Sequence, residues 1–478
     1  MKYSLTENGA SQLVSSGFAT LNLFSRIGAM RQANASAIIS EFIRAFNENP
    51  KVATQIAYWA RAARDGAGER RVFHTILQFL CTVQPDFVAS NAKMLAGIGY
   101  WKDLVPYFHI DGVLATFKDA VQSKDALACK WAPRKGEPAK QLKQALDMTW
   151  SQYRHFLKEH SATVEQQMAA KKFSEIKYSS VPGAALRKYK KSYGKQDGER
   201  FEEWKNDKTQ KASVSSSYPH DIYTLVCGNG YGIGSDEALG EKQWASLPNY
   251  MEEGERVLPM CDVSGSMMTP AAKDVSAMQV CISLGLYVAE RGIGPYKDAI
   301  LTFSGNPSFV RVNDKMSLRD KFRLIHRSNW DRNTDFAKAY RLILDTAKTF
   351  QLSREQMPTM LLVLSDMQFD SCVRNGSQSA LENLRQEFFE AGYVMPKVVF
   401  WNLCASDAMG VPATHDDKEV ALVSGFNPVL MKALLNGEDF TPVGIMEKAL
   451  EPIVLDYTHL TANGIAIELS SEAPGILD

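Results

Sequence analysis

The chain has 478 residues, enough for about two to three domains, and its 45% hydrophobic and 23% charged content is ordinary for a globular protein. No apolar run approaches the roughly twenty residues that a bilayer span requires, and residues 1–10 lack the apolar centre of a secretory signal. The seven cysteines are scattered without a CxxC pair, which argues against a zinc site or a disulfide framework and points to a reducing, cytoplasmic setting.

A formal net charge of zero conceals an asymmetry. Residues 1–250 carry 33 Lys and Arg against 24 Asp and Glu, and the remainder carries 21 against 30, so the two halves stand at +9 and −9. A polyanionic partner for the basic half is one reading. Two halves attracting each other would give the same sums.

Residues 1–245 read as helical. Ile39, Phe42, Ile43 and Phe46 share one face of a stretch over Ala37–Phe46; Val52, Ile56 and Trp59 do so over Val52–Ala63, and Val72–Leu80 repeats the pattern. Short breaks such as Asn49-Pro50 and Asp65-Gly66-Ala67-Gly68 separate these stripes. Amphipathic helices in series, without a strict sequence period, predict irregular HEAT-like pairs.

Residues 118–195 are the most basic, with 17 Lys and Arg against 7 Asp and Glu, and aromatic residues are interleaved. Trp131 lies near Lys130, Arg134 and Lys135; Tyr178 follows Lys177; Arg187, Lys188, Lys190 and Lys191 surround Tyr189. Cations beside aromatic faces suit single-stranded nucleic acid, whose phosphates meet charge and whose bases stack on rings. Solvated helix faces with Trp and Tyr turned inward would leave the same composition, and cations in a final helical turn also suit the helix dipole. Ser179-Ser180-Val181-Pro182 predicts a helix start, with an end near Gly194. Gly228–Gly234 matches neither GxGxxG nor a phosphate loop and reads as a flexible connection.

From about residue 250 the pattern changes. Apolar runs at Val257–Met260, Ala299–Phe303, Met360–Leu364, Val398–Leu403 and Val420–Val423 alternate with helix-like stretches at 271–290, 317–326, 335–350, 378–390 and 427–435. This alternation predicts a parallel, doubly wound sheet over a second domain, residues 250–478. Residues beyond Asp456 carry one short apolar run, Gly464–Leu469, with no assigned place.

Two of the apolar runs end on an Asp. The first leads into Asp262-x-Ser264-x-Ser266, the second into Asp366, and Thr334 stands between them. Strand ends at the carboxyl edge of an open sheet are where ligands bind. Oxygen side chains converging there, without His or Cys, suit a hard cation: Mg2+ first, with Mn2+ or Ca2+ as alternatives. The set resembles the metal-ion-dependent adhesion site of the von Willebrand A fold.

The wider chain resembles the Ro (TROVE) ribonucleoprotein architecture, a helical-repeat ring followed by a von Willebrand A domain, and more closely the plant, microbial and viral family that shares this layout. The resemblance rests on Leu21–Phe24, Arg64–Arg70, Gly99–Leu104, Lys130–Pro133, Ile176–Pro182, Tyr218–His220, Cys261–Met267, Ser365–Met367, Val399–Leu403 and Val423–Phe426. It implies a helical half, closed into a ring in Ro-like proteins, that binds small non-coding or single-stranded RNA. It also implies an A domain in which Ser264, Ser266 and Thr334 ligate the metal while Asp262 and Asp366 act through water. Such a metal seeks an acidic side chain or a phosphate. No Ro residue maps onto the helical half, so the RNA candidates come from the basic cluster alone: Lys130, Arg134, Lys135, Lys177, Arg187, Lys188, Lys190 and Lys191. No His lies in the three stretches that carry Asp262–Ser266, Thr334 and Asp366, so the expectation is a binding protein rather than an enzyme, and ring closure within one chain would favour a monomer. A metal-dependent protein-interaction module without RNA is the second reading, and a metal-dependent phosphodiesterase the third.

Overall fold

A computed structural model describes residues 3–5, 11–13, 15–161, 163–214, 217–228, 235–251, 255–272, 275–303, 306–328, 336–367, 377–404, 413–415, 417–436 and 439–461. A succession of α-helices and short 3-10 turns runs from Ala19–Ile27 to Glu237–Ala245, and a mixed α/β region follows.

The apolar stripes fold as read, with longer bounds. Ala37–Phe46 lies within Ala35–Glu48, where Asn34 caps the first turn by accepting from Ala37 N, and Asn49 caps Pro50–Arg61 by accepting from Val52 N. Val72–Leu80 lies within Arg70–Val83. The predicted Ser cap near 179 is corrected: Tyr178–Ser180 is a 3-10 turn, and the helix is Gly183–Gln196, with Pro182 at its N-cap and Gly194 inside it. Gly194 has open space where a Cβ would stand, so nothing forces the helix to stop there. Gly228 closes the Pro219–Cys227 helix at φ 74°, and residues 229–234 of the Gly-rich stretch lie outside the described residues.

The sheet has six strands: β1 Val257–Asp262, β2 Ala299–Phe303, β3 Phe309–Arg311, β4 Met360–Ser365, β5 Lys397–Asn402 and β6 Val420–Ser424. Their order is β6-β5-β4-β1-β2-β3. All neighbouring pairs are parallel except β2 and β3. The all-parallel expectation is thereby corrected at one edge: β3 returns as a short hairpin partner of β2, a connection too tight for a parallel crossover. The expected helix over 271–290 is also later than read. Pro270–Ala272 pairs with Val275–Ser276, and the helix is Ala277–Arg291, opened by a reciprocal cap between Ser276 and Gln279.

Every residue of β1, β4 and β6 is buried, yet their side chains still alternate. Leu258, Met260, Leu361, Val363, Val398 and Phe400 pack with Tyr340, Ile343 and Phe388 on one face. Cys261, Leu362, Leu364, Val399, Trp401 and Val423 face the other way, into a core continuous with that of the helical half.

Four of the stretches that carried the resemblance, Leu21–Phe24, Arg64–Arg70, Tyr218–His220 and Val423–Phe426, meet at this junction. Ser424 Oγ donates to Phe24 O at 3.1 Å and accepts from Gly28 N at 3.0 Å. Asn427 Nδ2 donates to Gly66 O at 2.7 Å, and Tyr218 O–H donates to Ala63 O at 3.1 Å. The last helices of the first half thus return to its beginning. Gly68, at φ 72°, lies under the Tyr218 hydroxyl, where a Cβ would sit 2.0 Å away. Arg31 covers the Phe426 ring at 3.8 Å and grips the buried Glu69 at 2.6 Å. The chain leading up to Asp456 docks here too: Gln55 Nε2 donates to Leu450 O and Ile453 O, and Asn91 exchanges hydrogen bonds with the Asp456 backbone.

His220 is buried between the rings of Tyr218 and Phe426, with its Nδ1 unpaired among the described residues. Burial depresses its pKa to about 4, against the opposing pull of Asp221. The folded form therefore binds fewer protons than the unfolded form between pH 6.5 and about 4, and stability falls as pH drops through that window. The expected loss across that window is about 3 kcal/mol, at about 1.4 kcal/mol per pH unit. Urea unfolding across this range measures it, and His220→Phe should flatten the slope. An equal slope in the variant would assign the acid sensitivity elsewhere.

Candidate functional site

The buried strand β1 ends at Asp262 because the following Val263-Ser264-Gly265-Ser266 turns into a 3-10 segment, Gly265–Met268. The Asp262 carboxylate organises this turn. Its Oδ1 accepts from Ser264 N at 2.9 Å and its Oδ2 from Ser365 Oγ at 2.6 Å. Ser264 and Ser266 then bring their hydroxyl oxygens to 3.0 Å of one another. Ser365 is a participant that sequence reasoning missed. It ends β4 beside β1, and its hydroxyl also accepts from Met367 N at 3.0 Å, which fixes the turn carrying Asp366. Met367 takes φ 64°, so the chain bends sharply there.

Asp262 and Asp366 are 2% and 8% exposed. They stand at the carboxyl ends of β1 and β4, adjacent strands from which the order runs outward in opposite directions. That is the switch point at which open α/β sheets bind ligands. The structure therefore brings Asp262, Ser264, Ser266 and Asp366 to one sheet edge; Thr334 lies outside the described residues. The donors are carboxylates and hydroxyls, a set that fits a hard divalent ion. Burial, reinforced by the Asp366 carboxylate, pushes Cys404 up to about 11, and burial beside Cys261 raises Cys281 as well. Among the described residues, no group of three or more His, Cys, Asp or Glu side chains is gathered for a metal. A site here has to draw on hydroxyls. A cavity of about 390 Å3 opens elsewhere, at the amino-terminal ends of β1, β4 and β5, lined by Arg256, Met360 and Lys397 among others.

The basic candidates divide. Arg134 donates to the carbonyls of Lys130, Ala132 and Cys129, closing a helix end. Arg187 pairs with Asp221 at 3.0 Å and donates to Ser217 and Gln243. Arg134 thus caps the end of its neighbouring helix, while Arg187 ties its own helix to later ones. Lys190 donates to Ser235 Oγ. Lys135, Lys177, Lys188 and Lys191 are exposed, and Lys130 is half-buried. Tyr178 and Tyr193 sit in a core with Phe201 and Trp204, so these interleaved rings are packing residues.

A family model described as "Domain of unknown function (DUF2828)" matches residues 6–112 and 117–253, together half of the chain. The chain belongs to the DUF2828 family. A second model, "Domain of unknown function (DUF7788)", matches residues 256–451, the α/β part that bears the Asp262 edge. This DUF2828 chain is also 27% identical, over 97% of its length and 90% of the relative's, to an uncharacterized protein of Acanthamoeba polyphaga mimivirus. Among its described residues, no helix is long and apolar enough to cross a membrane.

Proposed function

We propose that this chain is a monomeric RNA-binding scaffold. Its α/β half is a von Willebrand A domain that holds Mg2+ through Ser264, Ser266 and Thr334, with Asp262 and Asp366 behind them. The observation that carries the metal reading is the pair of Ser hydroxyls 3.0 Å apart beside a buried carboxylate at the sheet's switch point. The ion would be incompletely neutralised by these ligands and would take an anionic oxygen, a carboxylate or phosphate, from a partner.

Support for RNA over an internal charge-matched interface comes from the junction. Arg319 pairs with Glu237 across the halves at 2.9 Å, a cation of the acidic half on an anion of the basic half. Other charged groups at the junction meet neutral partners: Trp244 Nε1 donates to Glu290, Leu318 N donates to Glu241, and Arg31 covers the Phe426 ring, beside apolar packing and bonds through backbone groups and neutral side chains. The described contacts thus give little support to charge matching between the halves, and the +9 excess of residues 1–250 favours an external polyanion.

The test has two arms. Mg2+ at one hundred times its dissociation constant should stabilise the wild type by about 2.7 kcal/mol, read as a rise in melting temperature, and Ser264→Ala/Ser266→Ala should lose that rise. An equal rise in both proteins would reject the metal site. Gel-shift titration at low salt should show retention of single-stranded RNA, weakening as salt increases. Folded protein that retains none would reject the RNA reading and favour a protein-interaction module.

A further inference from the structure

Resting on the RNA reading, we infer that single-stranded RNA is held on one strip of the helical half, built from Tyr100, Trp131 and Tyr189 with Lys102, Lys130 and Lys188. The helix Ala126–Trp131 packs against the 3-10 segment Trp101–Tyr107 and sets the Trp131 ring 5.8 Å from that of Tyr100. Tyr100 is 40% exposed and Trp131 half-buried, so each is anchored on one side and open on the other. Lys102 and Lys130 place their Nζ atoms 5.8 and 5.5 Å from the Trp131 ring centre.

The strip continues through one acid. Lys130 Nζ lies 3.8 Å from Glu165 Oε2, and Tyr189 O–H donates to Glu165 Oε1 at 3.3 Å. Lys188, exposed, stands 4.9 Å from the Tyr189 ring. Two basic segments more than fifty positions apart in the chain thus meet about Glu165. Rings alternate with cations along the strip, the arrangement that lets bases stack while phosphates track charge. Glu165 Oε2 carries no hydrogen bond among the described residues. That oxygen is buried beside Lys130, so Glu165 fixes the spacing of Lys130 and Tyr189 rather than meeting RNA itself. Trp150 is also exposed, near Lys143 and Arg154, but its ring partner, Tyr153, is buried, so it offers one base platform and no path.

Fluorescence anisotropy of a labelled oligouridylate on the full chain tests this. Tyr100→Ala should weaken binding about 5- to 150-fold, the effect of losing one base stack, with the salt slope unchanged. Trp131→Leu, which keeps apolar volume under the strip, should do the same. Lys102→Gln and Lys188→Gln should each lower the salt slope by about one. Trp150→Ala should bind as wild type. Wild-type affinity in both Tyr100→Ala and Trp131→Leu overturns the strip while leaving RNA binding intact, as does a loss confined to Trp150→Ala. A wild type that binds no oligouridylate removes the RNA reading itself. Circular dichroism and an unchanged Mg2+ response confirm that each variant is folded.

Discussion

Asp103→Ala is expected to remove about 3–5 kcal/mol of stability, the cost of leaving a buried charge without its partner. Against the roughly 5–15 kcal/mol that holds a typical domain together, such a loss brings the helical half close to unfolding. Asp103 is fully buried, and each of its oxygens is occupied. Oδ2 accepts from Arg61 Nε at 2.8 Å, Arg61 Nη2 at 2.5 Å and Tyr100 N at 3.0 Å, while Oδ1 takes Arg70 Nε at 3.1 Å and His74 Nε2 at 3.0 Å. Arg61 is itself 1% exposed, so water cannot replace the missing carboxylate. Burial alone would raise the Asp103 pKa; the His74 hydrogen bond and the Arg61 charge outweigh it and hold the group at about 2. A depressed carboxylate contributes its stability above the unfolded value near 4 and loses it as pH falls to about 2. Urea midpoints should therefore drop sharply in Asp103→Ala at neutral pH, and the variant should lack the wild type's further loss between pH 4 and 2. A midpoint within experimental error of wild type would show that the cluster contributes little. Tyr100 takes its position from this carboxylate, so the variant should also disturb the ring strip above it.

Much of this arrangement was legible in the sequence, because periodicity reports burial. Ile39, Phe42 and Phe46 repeat at helical spacing, and four apolar runs from Val257 to Leu403 each became a strand of the same sheet. Asp262 and Asp366 were visible because a carboxylate directly after a buried strand has no packing role. Other features were hidden for stated physical reasons. Phe309–Arg311 is a three-residue edge strand with no alternation long enough to register. Ser365 reads as one more strand residue until β4 is placed beside β1. Arg134 and Arg187 look like surface cations in composition, yet a guanidinium that finds carbonyls or a carboxylate at a helix junction becomes part of the scaffold. Tyr100 and Lys102 lie outside the most basic stretch, and only the packing of Ala126–Trp131 on Trp101–Tyr107 joins them to Trp131. The segment after Leu450 has little periodicity because it is an irregular stretch held by backbone bonds to Gln55 and Asn91 together with single anchors, Ile453, Leu455 and Tyr457.

The division into two regions also needs a physical qualification that sequence does not supply, and Gly28→Val tests it. Gly28 has φ −70°, a conformation open to any residue, so its requirement is purely steric. A Cβ at this position would sit 2.5 Å from both Ser424 C and Ser424 O and 2.6 Å from Gly425 N. These are backbone atoms of the edge strand β6 and its following turn, which cannot rotate away as a side chain would. Valine must therefore lift β6 from the Ala19–Ile27 helix, breaking the Gly28 N to Ser424 Oγ bond and opening the core that runs from Phe24 to Trp401. Overpacking against movable side chains costs about 1–3 kcal/mol, and this site should lie at or above the top of that range. Ser424→Ala, which removes the same hydroxyl without a clash, should cost less, about 1–3 kcal/mol for the donor and acceptor it leaves buried. Because one face of the sheet shares its core with the helices, the wild type should melt in a single calorimetric transition. Gly28→Val should shift that transition or split it in two, with the Mg2+ response confined to the part that contains Asp262. Two transitions in the wild type, with Gly28→Val altering neither, would mean that the halves fold independently and that the continuous core contributes no cooperativity.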